Sequence, residues 1–347
     1  MKTRNSLLPI VIKWFGLLAV LALQTNSFAQ TLYRCEIKGR VLYQDLPCED
    51  SVAAQREVVL EEAAIAETDL PGSRGNGWLW RAERGGRVVY MTGSIHFGTE
   101  DIYPLPAPVM NAFSSSDVLM VEADILNLDQ RQINQIILSR GILSDGSTLK
   151  NHVSEATWEQ LLGALETLNI PETVVLGQKP WLAAMTLGAL GAQAAGMDPE
   201  LGVDRHFLQL ADGVQRVVEL EGIDHQIGLL DDMPDAVQAV LLRQTLDDLQ
   251  QGGEKFSEII QVWKAGDVLQ LEELIAREFN RESTEERLTE LLLAKRNRNM
   301  VARIQDESRQ QGNYFVVVGA AHLVGEYGLP ALLAEAGFSV ERVGLSN

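Results

Sequence analysis

Two hydrophobic β-strand patterns, more than two hundred residues apart, each run directly into the sequence Gly-x-x-His. The first, Arg87–Thr92, leads into Gly93–His96, and the second, Tyr314–Val318, leads into Gly319–His322. In an open α/β sheet, ligands and reacting groups gather at the carboxyl ends of the strands. A glycine at such a place lets the chain turn sharply and approach a ligand closely. The repeated pattern therefore predicts that His96 and His322 lie on one rim of one sheet.

The remaining segments predict an α+β fold with a central mixed β-sheet and a large helical insertion. Two buried strands are expected to end in carboxylates, Asp117–Glu122 and Gln215–Glu221, and a hairpin is expected at Gly85-Gly86. Residues from about 129 to 200 and from 233 to about 311 have helical patterns, and residues 338 to 343 read as an edge strand. The alanine- and glycine-rich stretch at 182–196 predicts close packing between helices.

Residues 1–29 have the features of a secretory signal peptide. Lys2, Arg4 and Lys13 precede a short apolar run, and the small residues Ser27 and Ala29 stand at the positions that a signal peptidase reads. The alternative is an uncleaved membrane anchor, although the apolar run is short for a permanent span. We therefore expect cleavage after Ala29, a periplasmic or secreted protein, and no stable membrane span in the mature chain.

The charge of the chain excludes one class of partner. The formal net charge is −19, and residues 1–29 contain three basic and no acidic residues, so cleavage leaves −22. A polyanion without a basic cluster repels nucleic acid and anionic lipid head groups. We therefore expect no nucleic-acid binding.

The chain contains only two cysteines, Cys35 and Cys48, both close to the expected cleavage site. In an oxidising compartment so close a pair predicts a disulfide, which would stabilise the folded state by about 3 kcal/mol. A cysteine-based zinc site would need further ligands. The segment, with the pattern Tyr-x-Cys, Gly, Tyr, Pro-Cys, resembles a small N-terminal module of exported bacterial proteins. The predicted organisation is thus a signal peptide (1–29), a disulfide-closed β module (30–50), a linker (51–76) and a main domain (77–347).

Glu122 is the third group that can join the two histidines, because it ends a buried strand. Two imidazoles and one carboxylate are a common ligand set for a hydrolytic metal ion. The ligand types do not distinguish zinc from manganese or cobalt. The alternative is that each histidine is a hydrogen-bonded core residue, since one Gly-x-x-His alone is a weak motif.

The main domain resembles the TraB/PrgY/GumN family, which includes the animal TIKI proteases. The resemblance covers residues from about Trp78 to Val343. The segments on which it rests are Val89-Tyr-Met-Thr-Gly-Ser-Ile-His-Phe-Gly98, Val121-Glu122, Gly202-Val-Asp204, Leu220-Glu221 with Gln226, Lys295-Arg-Asn297 and Val318-Gly-Ala-Ala-His-Leu323.

The resemblance implies a metal-dependent peptidase-type site that uses His96, His322 and Glu122. It also draws attention to Arg296 and Asn297, which are similar to an Arg-Asn pair of the family. Arg296 would stabilise an oxyanion or anchor a substrate carboxylate; the alternative is a surface or capping arginine.

Two further carboxylates belong to the predicted site. Asp204 would be an added ligand or would orient a histidine, and the alternative is a helix N-terminal carboxylate. Glu221, which matches the family segment, is expected to be a general base or a ligand. Glu219 and Glu221 alternate along a strand, so only one is expected to face the site.

Two functions follow from these expectations. The first is an exported metal-dependent hydrolase that acts on peptides or other amide bonds. The second is a periplasmic binding protein that sequesters a small peptide or other signal without cleaving it. A third, less favoured, is an inactive scaffold whose N-terminal module binds a partner.

Overall fold

The computed structural model of the chain describes residues 33–37, 40–44, 78–251, 254–279 and 290–343. These residues fall into two units. One unit spans Leu23–Ser73, and the other contains Arg74–Asn347. The signal segment, the linker and Cys48 lie outside the described residues, so cleavage, the domain boundaries and the disulfide stay predictions.

The described part of the smaller unit is a β-hairpin. Strand β1 (Tyr33–Ile37) pairs with β2 (Arg40–Gln44) in an antiparallel register that sets Cys35 opposite Leu42. The two strands lie within the predicted β module, residues 30–50.

The larger unit contains one mixed six-stranded sheet. Its strands in chain order are β3 (Leu79–Arg84), β4 (Arg87–Ser94), β5 (Val118–Val121), β6 (Arg216–Glu219), β7 (Gly312–Gly319) and β8 (Ser339–Arg342). They are arranged β6-β5-β7-β4-β3-β8. The pairs among β6, β5, β7 and β4 are parallel, whereas β3 pairs antiparallel with both β4 and β8. The predicted mixed sheet and its C-terminal edge strand are therefore confirmed.

The turn between β3 and β4 follows from its two glycines. Gly85 and Gly86 have φ angles of 60° and 76°, which side-chain-bearing residues rarely adopt. Two consecutive positive φ angles are the requirement of a type I′ turn, whose twist matches that of the flanking strands. The predicted hairpin is thus present.

Helices connect the parallel strands. In chain order the described α-helices are α1 (Ala107–Ser114), α2 (Gln130–Gly141), α3 (Glu155–Thr167), α4 (Pro180–Ala194), α5 (Val203–Ala211), α6 (Ile223–Asp231), α7 (Asp235–Leu249), α8 (Glu254–Ala265), α9 (Val268–Phe279), α10 (Lys295–Glu307) and α11 (Leu329–Glu335). A π-helical turn, Glu290–Ala294, leads into α10. Within the described parts of the chain, no helix has both the length and the apolarity needed to cross a bilayer.

The core lies on the faces of the sheet and between the helices. Phe315 of β7 packs edge-on against Phe113 of α1, and Phe207 of α5 contacts both rings at centroid distances of 5.0 Å. The alanine- and glycine-rich α4 is buried on most of its surface and packs against α7. This is the close helix packing that its small residues predict.

Candidate functional site

The carboxyl ends of β6, β5, β7 and β4 are neighbours, and together they form what is here called the rim. Glu221 follows β6, Glu122 follows β5, His322 follows β7 and His96 follows β4. Because parallel strands end on the same side of a sheet, the four side chains reach the same region. All four side chains are buried.

Gly319, the last residue of β7, lies where the side chains of Glu122, His322 and His96 meet. A Cβ atom placed on Gly319 would lie 3.4 Å from Glu122 Oε1, 3.7 Å from His322 Cδ2 and 3.7 Å from His96 Nε2. The Gly319 N–H donates to Glu122 Oε1 at 2.7 Å, and His322 Nε2 lies 3.8 Å from the same oxygen. The two imidazoles therefore face one shared space rather than opposite faces of the sheet. A side chain at position 319 would intrude into that space.

His96 is oriented by Asp204. The Nδ1 atom of His96 lies 2.8 Å from Asp204 Oδ1, and Asp204 is in the first turn of α5. Two glycines let the loop after β4 approach the segment before α5. A Cβ on Gly98 would lie 2.1 Å from the carbonyl oxygen of Leu201, and a Cβ on Gly202 would lie 2.5 Å from that of His96. The local backbone thus fixes His96 with Nδ1 toward Asp204 and Nε2 toward Gly319.

His322 is oriented by Asn297 of α10. The Nδ1 atom of His322 lies 2.5 Å from Asn297 Oδ1, and Asn297 Nδ2 donates to the carbonyl oxygen of Tyr327 at 2.6 Å. Because a carbonyl can only accept, the contact with Tyr327 identifies the amide nitrogen of Asn297. Its Oδ1 is then the acceptor for His322 Nδ1–H. The neutral tautomer that results leaves the Nε2 lone pair available on the side of Gly319.

Arg296, the residue before Asn297, joins the two strand-end glutamates. Its Nη2 atom donates to Glu122 Oε2 and Glu221 Oε2, both at 2.6 Å, and its Nε atom donates to Glu221 Oε1 at 2.9 Å. The Gln226 amide donates to Glu122 Oε2 at 3.0 Å and to Glu221 Oε2 at 3.1 Å. Glu122 therefore turns one oxygen to Arg296 and Gln226 and the other to the histidines.

The buried charges shift the pKa values of the site. Burial raises the pKa of Glu122, but the charges of His322, Arg296 and His96 and the Gly319 N–H outweigh it and hold the pKa at about 2. Burial lowers the pKa of His322 to about 4, with Arg296 and His96 acting in the same direction. His322 is consequently neutral at neutral pH, so Arg296 is the permanent cation beside Glu122 there. For His96, burial lowers the pKa, but Asp204 and Glu122 outweigh it and the pKa is raised.

The structure brings together every residue that the sequence predicts for the site: His96, Glu122, Asp204, Glu221, Arg296, Asn297 and His322. Glu219 lies outside it, exposed, and accepts from the Asp124 N–H at 2.8 Å. Only one of the two alternating glutamates faces the site, as expected. Strand β6 ends at Glu219, however. Beyond it, the main-chain N–H groups of Leu220 and Glu221 donate to the carbonyl oxygens of Val121 and Glu122 at the end of β5.

Gln226 is the site residue to which sequence reasoning gave no role. It lies five positions after Glu221, on the buried side of α6. The three other histidines are outside the site. His152 contacts Ser147 Oγ, His206 packs on Tyr103 at a centroid distance of 4.8 Å, and His225 is exposed.

The donor types of the site fit a divalent metal ion. His96 Nε2, the His322 ring and Glu122 Oε1 face the space beside Gly319, and His322 Nε2 lies 3.8 Å from that oxygen. Each Nδ1 atom lies close to an acceptor oxygen, at 2.8 Å for His96 and 2.5 Å for His322. A hydrogen-bonded Nδ1 is the usual condition of a metal-binding histidine. Among the described residues, no group of three or more His, Cys, Asp or Glu side chains has the arrangement of a formed metal cluster. The case for a metal ion therefore rests on the donor types and their orientation.

Comparison with known proteins gives one family. The sequence profile described as "TraB/PrgY/gumN family" matches residues 78–342, which contain the whole site. The chain is 30% identical over 265 residues to "Uncharacterized protein YbaP" of Escherichia coli (strain K12) and to the protein of that name from Shigella flexneri. Each match covers 75% of this chain and 94% of the relative. No solved structure matches the chain.

Proposed function

The chain belongs to the TraB/PrgY/gumN family, and on that premise we propose that it is an exported metal-dependent hydrolase of peptide or other amide bonds. The observation that supports this proposal best is the convergence of His96 Nε2, the His322 ring and Glu122 Oε1 around Gly319. Both Nδ1 atoms contact acceptor oxygens, and Gly319 has no side chain, so the donor atoms face one space at the carboxyl ends of the parallel strands.

In this proposal His96, His322 and Glu122 hold a zinc, manganese or cobalt ion. Such an ion, when bound, lowers the pKa of its water and polarises a substrate carbonyl. His322 is already neutral at neutral pH, as a ligand must be, because its pKa is about 4. Asp204 was predicted as a further ligand. Its contact with Nδ1 of His96 supports the other predicted role, that of orienting the imidazole.

Arg296 and Glu221 hold Glu122 in place. Arg296 is predicted to stabilise an oxyanion or to anchor a substrate carboxylate, and Glu221 is predicted to be a general base or a ligand. Both Glu221 oxygens accept from Arg296, and Arg296 Nη1 also donates to the Leu292 carbonyl at 3.3 Å. These contacts favour a positioning role for both side chains, and Asn297 has the same role for His322.

Measurement of metal content tests the shared site. The full-length protein is purified without chelator, loaded with zinc, manganese or cobalt, and compared with His96→Ala, His322→Ala and the control His152→Ala. We expect one tightly bound ion per chain in the wild type and in the control, and none in the two site variants. Equal metal content in all four proteins would refute the shared site.

A peptide digest then separates hydrolysis from capture. Each metal-loaded form is incubated with a mixture of exported peptides, and the products are identified by mass spectrometry. New peptide termini that appear with wild type and not with His322→Ala support hydrolysis. Peptides that stay intact with every metal would refute hydrolysis and favour the sequestering function.

Export is a separate part of the proposal. The features of residues 1–29 support it, and those residues lie outside the described ones. We expect the protein recovered from a periplasmic fraction to begin at Gln30. Recovery of the full chain with Met1 from the membrane fraction would instead indicate the uncleaved anchor.

A further inference from the structure

A glutamine lies on the buried, otherwise apolar face of α6. The buried side chains of that face recur at helical spacing: Ile223, Gln226, Ile227 and Leu230. The pattern alone would place a hydrocarbon side chain at position 226, yet Gln226 is only 6% exposed. Burying an amide is less favourable than burying a hydrocarbon, so packing does not explain the residue.

The start of α6 is bonded to the main chain of Glu122. The N–H groups of Glu221 and Gly222 both donate to the Glu122 carbonyl oxygen, at 3.1 and 2.9 Å. Gly222 has a φ of 86°, which lets the chain turn from the strand end into the helix. The Gln226 N–H then donates to the Gly222 carbonyl at 3.2 Å. The side chain of Gln226 therefore reaches the Glu122 carboxylate from a backbone that is fixed to the same residue.

The neighbours of the Gln226 amide determine its orientation. One end of the amide lies 3.0 Å from Glu122 Oε2 and 3.1 Å from Glu221 Oε2. Because ionised carboxylates only accept hydrogen bonds, that end is the NH2 group. The Oε1 atom of Gln226 then has no hydrogen-bond partner among the described residues, which destabilises the fold. A methionine would fill a similar space without this cost, so the NH2 group is the part of the side chain that the site uses.

The donors among the described residues leave the Glu122 carboxylate one unoccupied lone-pair direction. A carboxylate offers about four such directions, two on each oxygen. Oε2 accepts from Arg296 Nη2 at 2.6 Å and from Gln226 Nε2 at 3.0 Å, and Oε1 accepts from the Gly319 N–H at 2.7 Å. The remaining direction belongs to Oε1, the oxygen that lies 3.8 Å from His322 Nε2.

We propose that Gln226 is a positioning residue that makes Glu122 a one-oxygen ligand of the metal ion. Gln226 and Arg296 together occupy Oε2, so the carboxylate cannot turn to present both oxygens without breaking a hydrogen bond. Arg296 alone would leave one direction of Oε2 open and would permit that turn. This role rests on the proposed metal site, but the orientation of Glu122 can be measured without any metal.

Two variants and a matched control separate positioning from ordinary stabilisation. Gln226→Met keeps nearly the length of the side chain and removes its NH2 group. Gln226→Asn keeps the amide but withdraws it by one C–C bond, about 1.5 Å, and it gives the same test if the methionine variant does not fold. The control is Gln238→Met. Gln238 is 3% exposed, and its amide donates to the Asp231 and Met233 carbonyls at the opposite end of α6.

The Gly319 amide reports the orientation of Glu122 in the metal-free, full-length protein, because its N–H donates to Oε1. Labelling valine carbonyl carbons and glycine nitrogens selects Val-Gly pairs such as Val318-Gly319 in NMR spectra, and sequential assignment then identifies the resonance. In both Gln226 variants we expect the Gly319 proton to move upfield and to exchange faster with solvent. In Gln238→Met it should stay unchanged. A Gly319 resonance that does not move in the Gln226 variants, or that moves equally in all three proteins, would overturn the proposal.

Metal binding tests the one-oxygen geometry. Zinc affinity is measured by competition with a chelator, and the visible absorption of the cobalt-loaded protein reports the coordination number. The Gln226 variants should bind zinc about 10- to 100-fold more weakly, the usual effect of losing a group that orients a ligand. Their cobalt absorption bands should also weaken, because a second oxygen of Glu122 can join the ion. Gln238→Met should match the wild type in both measurements.

The outcomes distinguish this role from the proposed metal site itself. Zinc affinity equal to that of the wild type in the Gln226 variants would overturn the positioning role, and identical cobalt spectra would overturn the one-oxygen geometry. If the wild-type protein binds no metal ion, the proposed metal site fails. The Gly319 resonance alone then decides whether Gln226 fixes the orientation of Glu122.

Discussion

Replacing Arg296 with methionine tests whether its charge compensates the buried carboxylates of the site. Arg296 is the cation between Glu122 and Glu221, and the three side chains are 8%, 7% and 1% exposed. The substitution keeps an unbranched side chain but leaves two buried carboxylates facing each other. Breaking a buried ion pair by removing one partner costs about 3 to 5 kcal/mol of unfolding free energy, because a charge is left without compensation. We expect a loss of this size at pH 7 in the metal-free protein.

The pH dependence of this loss gives the sharper test. In the wild type the pKa of Glu122 is lowered from 4.5 to about 2, so its stabilisation is complete above pH 4.5 and is lost as the pH falls toward 2. Without Arg296, a buried carboxylate of the site can become neutral only by binding a proton. Protonating a group whose ordinary pKa is 4.5 costs about 3 kcal/mol at pH 7. Near pH 4.5 the same protonation costs almost nothing. The difference between wild type and variant should therefore shrink to about 1 to 2 kcal/mol at pH 4.5.

Urea unfolding in the presence of chelator, at pH 7 and at pH 4.5, measures the two differences. Arg303→Met is the matched control, because Arg303 is an exposed residue of the same helix that pairs with the half-buried Glu307. Its loss should cost less than about 1 kcal/mol at either pH. Adding Glu221→Gln to Arg296→Met should recover part of the loss at pH 7. A loss that is the same at both pH values, or that the second substitution leaves unchanged, would refute the reasoning.

Three further predictions concern single groups. Asp204→Asn should weaken metal binding about 10- to 100-fold in calorimetry and should lower the pKa of His96; unchanged affinity would count against an orienting role. In NMR titrations of the metal-free protein, His322 should protonate only near pH 4, whereas His96 should protonate above its ordinary pKa of 6.5; coincident titration curves would contradict the described contacts. Gly98→Ala places a methyl group against a backbone oxygen and should cost about 2 kcal/mol or more in urea unfolding. Gly163→Ala, in the exposed middle of α3 with open space around it, should instead stabilise the fold by about 0.5 to 1 kcal/mol. Equal effects of the two substitutions would refute the argument that Gly98 is needed for the close approach to the Leu201 carbonyl.

The strand-end part of the site was predictable from the sequence for a physical reason. A buried parallel strand is a run of apolar residues, and the first polar residue after it lies at the carboxyl end of the sheet. That rule, together with the repeated Gly-x-x-His, identifies His96, Glu122 and His322 as candidates for one rim. It does not give their order across the sheet, because the arrangement β6-β5-β7-β4 depends on how the helical connections pack.

The parts of the site that come from helices were not predictable in this way. Arg296 and Asn297 lie on α10, and periodicity identifies that helix without saying which strand end it approaches. Only the resemblance to a family pointed to these two residues and to Asp204. The packing of α8 against the strand ends, where Trp263 Nε1 donates to the Gly93 carbonyl at 2.9 Å, is further from sequence reasoning. Spacing along the chain contains no information on that contact.

The charge balance of the site links its stability to the proposed metal ion. The buried ionisable groups at the rim are the carboxylates of Glu122, Glu221 and Asp204, the Arg296 guanidinium and two imidazoles. With both histidines neutral, three negative charges face one positive charge, an excess that a buried site tolerates only with compensation. In the metal-free protein, the raised pKa of His96 supplies part of it through a proton. A divalent cation would cancel the excess and displace that proton, so the three carboxylates would favour metal binding as the pH rises.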